Sequence, residues 1–140
     1  MYRNTFFRLF DHERKSSYSF NVIAKDSGRN MFSSSAVVTI GIEDKNDNAP
    51  IFTQYPYKKN LASGTSTNVY VTEVTANDAD SGNNGLVKYR LIQDNTNYFR
   101  LDPQTGKIFT NMDLPADKVL YNLIVIAEDS GSTALSSTGT

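Results

Sequence analysis

Eleven residues recur 103 positions apart in this chain. Tyr18-Ser-Phe-Asn-Val-Ile-Ala-Lys-Asp-Ser-Gly28 and Tyr121-Asn-Leu-Ile-Val-Ile-Ala-Glu-Asp-Ser-Gly131 agree at seven of eleven positions. Solenoid repeats run at periods of about 20–50 residues, so a spacing this long marks tandem domains of roughly a hundred residues each. In a chain of 140 residues, that register leaves room for parts of two. The expected layout is residues 1–43 as the C-terminal part of a first repeat, a junction at 44–50, and a second repeat at 51–140. Both copies are expected to be truncated, the second lacking its last strand, the counterpart of Ala36–Ile42.

Within each copy the apolar residues alternate instead of recurring every three or four. Tyr18, Phe20, Val22 and Ala24, then Val69 and Val71, then Tyr121, Leu123, Val125 and Ala127 each read as one strand face. Turn clusters punctuate these runs: Asp26-Ser27-Gly28, Asp80 to Gly85, and Asp102-Pro103-Gln104-Thr105-Gly106, where Gly106 is expected at positive φ. Phe52, Tyr55, Tyr57, Tyr89, Tyr98 and Phe99 are expected to fill the core and its rim. No window keeps a helical stripe, so the fold class is all-β, a sandwich of short strands.

Fourteen basic residues against fifteen acidic ones give no positive field for nucleic acid or an anionic membrane. No apolar run approaches the roughly 18 residues of a spanning helix, and Phe6-Phe7-Arg8-Leu9-Phe10 is too short and Arg-interrupted for a signal sequence. The absence of cysteine removes disulfides and thiolate zinc sites, but a secreted domain stapled by metal remains compatible.

Oxygen ligands concentrate in Asp11-His12-Glu13, Asp44 to Asn48, Asp78-Ala79-Asp80 with Asn84, and the repeated Asp26 and Asp129. Calcium takes six to eight oxygens from carboxylates, amides and main-chain carbonyls in irregular geometry, so mixed Asp and Asn clusters suit it; zinc and copper would want His or Cys. An EF-hand does not fit. Counting from Asp78, position six is Asn83 where Gly is needed and position twelve is Tyr89 where Glu is needed. Any one cluster taken alone also reads as turn chemistry, since Asp and Asn cap their own backbone two residues on.

The junction Asp44-Lys45-Asn46-Asp47-Asn48-Ala49-Pro50 resembles the D-x-N-D-N-x-P linker of the cadherin superfamily. Ala76 to Gly85 resembles the A-x-D-x-D-x-G-x-N-G segment of cadherin repeats, Phe99 to Ile108 their F-x-I-D-x-x-T-G-x-I hairpin, and Ala127 to Gly131 their A-x-D-x-G. These motifs cover nearly the whole chain in the family's order, and their style resembles the long non-classical cadherins of Fat, dachsous or protocadherin type. The resemblance implies tandem Greek-key β-sandwich repeats, immunoglobulin-like in layout, joined by calcium. It implies ligands Asp11, Glu13, Asp47 and the Lys45 main-chain carbonyl for the two ions nearest the first repeat. For a third ion it implies Asn46, Asp78, Asp80, Asp129 and the main-chain carbonyls of Asn48 and Asn84, with Asp80 bridging. His12 would point away, and Asp26 would be a turn residue.

Two departures follow from the same comparison. The first-strand glutamate of the upstream repeat would lie before Met1. Met112-Asp113-Leu114-Pro115 stands where L-D-x-E is expected, and Tyr57 to Gly64 contains no glutamate, so Asp113 would be a lone carboxylate and a following linker would bind calcium weakly or not at all. The implied function is a calcium-stiffened segment of an extracellular adhesion rod on a single-pass plasma-membrane protein. Its implied partners are other cadherin-type ectodomains, with no membrane insertion by this segment. The alternatives are a calcium-independent secreted or bacterial adhesin-type sandwich and, from another class, a hydrolase using Asp78 with Asp80 or Asp11 with Glu13 as its acid–base pair.

Overall fold

The computed structural model describes residues 10–92, 97–117 and 120–139; positions 6–9 of the early apolar run lie outside them. The described residues form strands and turns with no helix, and they divide between two compact units, Met1–Lys45 and Asn46–Thr140.

In the first unit, β1 (Ser17–Lys25) and β2 (Ser33–Gly41) pair antiparallel from Ser17 opposite Gly41 to Lys25 opposite Ser33. Their connection is built on Asp26. Its Oδ1 accepts the N–H groups of Gly28 at 3.0 Å and Phe32 at 3.1 Å, while its own N–H donates to the Phe32 carbonyl. Asp26 is therefore the turn residue expected. Phe20, Val22, Val37 and Ile40 are all exposed within this ribbon.

The second unit is a sandwich. One sheet has the order β4 (Tyr70–Glu73), β8 (Lys107–Thr110), β7 (Phe99–Leu101), and the other β10 (Ser136–Gly139), β9 (Ile124–Glu128), β6 (Lys88–Ile92). All neighbours are antiparallel, and β3 (Ile51–Phe52) pairs separately with β5 (Ala76–Asn77). Pairs such as β4 with β8 and β6 with β9 join strands distant in sequence, as Greek-key connections require. Val71, Val74, Phe99 and Ile108 from the first sheet side meet Tyr89, Val125 and Ala127 from the second, with Leu114 closing the core. Tyr121 and Leu123 pack against it just ahead of β9.

Two sequence expectations are corrected. Val69 and Val71 do not share a buried face: a register shift between Tyr70 and Thr72 inserts an extra residue, so Val71 is buried and Val69 is 39% exposed. Tyr55 is 68% exposed and takes no part in the core. The short β10 pairs with β9 from Ser136 opposite Glu128 to Gly139 opposite Val125, and in the 103-residue register it is the counterpart of Ser33–Ala36, ahead of the strand expected to be lacking. Its Ser-Ser-Thr-Gly sequence carries no apolar alternation, and the ladder is specified by its partner strand.

The hairpin between β7 and β8 follows the sequence closely. Asp102 Oδ1 accepts from the N–H groups of Gln104 and Thr105, and Gly106 has φ of 71°. Those two N–H donors hold the Asp102 carboxyl below its ordinary value. A side chain at Gly106 would also run into the Val74 carbonyl and the Tyr89 ring.

Thr110, fully buried, ties the sheet to the preceding loop. Its Oγ1 donates to the Ser66 carbonyl and accepts from the Val69 N–H, both at 2.8 Å. Thr110→Val keeps the shape and strands both groups, so unfolding stability should fall by about 2 kcal/mol, read as a lower denaturant midpoint at unchanged m-value.

Candidate metal centre

The segment that opens the second unit lies against two turns of the sandwich, those of Asp80 and Asp129. Pro50 is fully buried and anchors it. Ahead of Pro50, the Asn46 Nδ2 donates to Asp129 Oδ1 at 3.1 Å and to the Thr133 carbonyl at 2.8 Å. With both amide protons engaged, the Asn46 Oδ1 is turned the other way, where it is buried and has no hydrogen-bond partner. The Asn48 N–H donates to Asp80 Oδ2 at 3.1 Å, and its Nδ2 donates to Asp80 Oδ1 at 2.6 Å and to Asp47 Oδ1 at 3.1 Å.

Asp80 and Asp129 are both buried, at 8% and 4% exposure. Burial alone would raise the Asp129 carboxyl. The N–H donors of Leu135, Gly131 and Asn46 outweigh it and hold that carboxyl below its ordinary value. Asp78 Oδ1 accepts the Asp80 N–H at 2.9 Å, while Asp78 Oδ2 is a second buried oxygen without a donor. A carboxylate oxygen of Asp47 lies within 4.8 Å of one from Asp80. The turn bearing Asn84 is fastened to the Asp129 turn by the Ser130 N–H on the Asn83 carbonyl and the Ser130 Oγ on the Leu86 carbonyl.

Of the sequence-expected ligands, the second unit thus assembles Asn46, Asp47, Asn48, Asp78, Asp80, Asn84 and Asp129. Asp11, Glu13 and Lys45 belong to the first unit. There the Asp11 side chain accepts the Arg14 N–H at 2.9 Å in a turn, and Glu13 and Lys45 are exposed. His12 turns to its own unit: Nδ1 donates to the Ile42 carbonyl at 2.7 Å, and Nε2 stands 4.0 Å from Asp44 Oδ1. Asp113 accepts the Thr67 N–H at 2.7 Å, which gives that lone carboxylate a structural partner.

Comparison with known proteins agrees with the motif reading. The Cadherin domain family matches residues 57–140. The chain belongs to the cadherin family. It is 41% identical over 132 residues to Protocadherin Fat 4 of Homo sapiens, covering 93% of this chain and 3% of that protein. It is 40% identical over 133 residues to the Protocadherin-like wing polarity protein stan of Drosophila melanogaster, covering 91% and 4%. Among solved structures, mouse cadherin-23 EC22-24 superposes with a TM-score of 0.82 at 32% identity, over 94% of this chain and 43% of that one. Protocadherin Gamma B2 extracellular cadherin domains 3-6 gives 0.83 at 29% identity, over 94% and 33%. The chain therefore spans a few per cent of the length of the curated cadherins it matches.

The chemistry of the donor set fits calcium. Two buried oxygens lack donors, two carboxylates are buried, and the donors that reach those carboxylates are neutral amides. A hard cation accepting six to eight oxygens satisfies this arrangement.

Sequence reading missed the residues that shape this cradle. A methyl on Gly131 would run into the Asn46 side chain and the Asn84 Oδ1, so this glycine is what lets Asn46 reach Asp129. Its presence in the repeated Asp-Ser-Gly was visible, but only as a turn. Gly131→Ala should displace Asn46 and lower stability by about 1–3 kcal/mol. Amide hydrogen exchange checks it, with Gly131 and Leu135 losing protection as the Asp129 carboxylate moves.

Proposed function

We propose that this chain is a calcium-dependent segment of a cell-adhesion ectodomain: residues 1–43 close one cadherin repeat, 44–50 form the linker, and 51–140 form the next repeat. The observation that carries the reading is the pair of buried, donor-less oxygens on Asn46 and Asp78 beside the buried carboxylates of Asp80 and Asp129. Asn46, Asp78, Asp80, Asp129 and the main-chain carbonyls of Asn48 and Asn84 would hold one calcium ion. Asp47 would hold others, and Asp11, Glu13 and the Lys45 carbonyl join it on their motif match alone.

Bound calcium supplies positive charge to carboxylates that otherwise repel, which converts a charged, loosened junction into a stiff one. The protein's part is to gather the oxygens: Pro50 anchors the segment, Asn46 presents its oxygen, and the Asp78 and Asp129 turns fix their carboxylates. An extracellular rod stiffened in this way would space or mediate contact with other cadherin-type ectodomains at the plasma membrane. Kinship with Protocadherin Fat 4 and the stan protein supports that role.

Extracellular calcium modules bind at roughly 10⁻⁴–10⁻³ M, so one site at the tight end contributes about 1.4 kcal/mol at millimolar calcium. The thermal midpoint should rise from EGTA through about ten-millimolar calcium and stay flat with magnesium. Asp80→Ala, which removes the proposed bridging ligand, should abolish most of that rise. A wild-type midpoint indifferent to calcium would sink the reading and favour a calcium-independent adhesin-type sandwich.

A further inference from the structure

Asn48 does more in this structure than offer a main-chain carbonyl. Its backbone N–H and side-chain amide together place three hydrogen bonds on two carboxylates, covering both oxygens of Asp80 and one of Asp47. The shortest of them, 2.6 Å to the buried Asp80, is a charge-assisted contact. The two side-chain bonds use both protons of one amide, so the distance between the two carboxylates is set by the width of a single NH₂ group. Asp47 is exposed and Asp80 buried, and the amide sits where the like charges would otherwise push the exposed one into solvent.

We propose that the Asn48 side chain is a positioning residue: it bridges Asp47 and Asp80 and holds them at ligand spacing before any cation arrives. The proposal rests on the calcium reading above and adds to it a role for an atom, Nδ2, that cannot itself ligate a cation. Holding the carboxylates in place removes an ordering cost from cation binding, as other hydrogen bonds to metal ligands do. Asn46 does not share the role, since its Nδ2 protons go to Asp129 and Thr133 and leave its oxygen inward.

The test uses the full 140-residue chain with Asn48→Ala and Asn48→Asp, in EGTA and in titrations with calcium chloride. Asn48→Ala should weaken calcium binding about tenfold, the lower end of what loss of a ligand-orienting hydrogen bond costs. It should lower the midpoint in EGTA by about 4–8 °C, and the deficit should widen at saturating calcium, whereas an asparagine of purely structural importance would give equal deficits in both. Asn48→Asp, nearly isosteric but with an acceptor in place of the donors, should lower the EGTA midpoint further than alanine does. Should a variant fail to fold, the wild-type chain still decides: the Asn48 side-chain NH₂ resonances should exchange slowly in EGTA and lose that protection in Asp80→Asn. Unprotected Asn48 amide protons, or a folded Asn48→Ala with unaltered calcium affinity, would overturn the proposal. A wild-type chain blind to calcium but with a protected Asn48 amide would overturn the calcium reading and leave the bridge standing.

Discussion

Carboxylates that share a small volume must be neutralised or driven apart, and the second unit is organised around that constraint. Asp47 and Asp80 have oxygens within 4.8 Å of each other, a separation that costs on the order of 1 kcal/mol in bulk water and several-fold more where solvent is excluded. Asp80 and Asp129 are moreover among the most buried residues of the unit, where desolvation adds to the repulsion. Side-chain and backbone amides meet this cost, with Asn46 on Asp129 and Asn48 on Asp47 and Asp80. The same bonds fasten residues 46–50 to the sandwich, so the junction segment is held by the chemistry that would hold an ion.

That economy explains the composition of the segment. Aspartate alone would gather ligands and then repel itself; asparagine alternates with it because an amide offers an oxygen to a cation and protons to a neighbouring carboxylate. Gly131 and Pro50 complete the arrangement sterically, one by leaving room for Asn46 and the other by burying the point where the segment enters the fold.

Features resting on local chemistry were legible in the sequence. Alternation found the paired strands of the first unit, the Asp102 to Gly106 turn has the positive φ its glycine announced, and among the residues the cadherin motifs singled out, Asn46 meets Asp129 and Asn48 meets Asp80. Features resting on non-local partners were not. The register shift at Val71 answers to β8, the Ser-rich β10 to β9, and the exposure of Tyr55 to the path of the loop around it. The Asn48 amide belongs with these, because its donors find Asp80, thirty-two positions on, only once the intervening chain has folded.

The two copies of the Ala-x-Asp-Ser-Gly motif show the distinction most directly. Asp26 and Asp129 build the same turn: each N–H donates to a carbonyl six residues on, and each carboxylate accepts N–H groups two and six residues on. In the first copy both donors fall on one oxygen, Asp26 Oδ1. In the second they are divided, Gly131 on Oδ1 and Leu135 on Oδ2, and Asn46 reaches in to join Gly131. The eleven-residue repeat therefore encodes a turn, and a turn is what both copies form. What separates a turn aspartate from a candidate ligand is the asparagine that arrives from eighty-three residues away, together with a glycine that leaves it room.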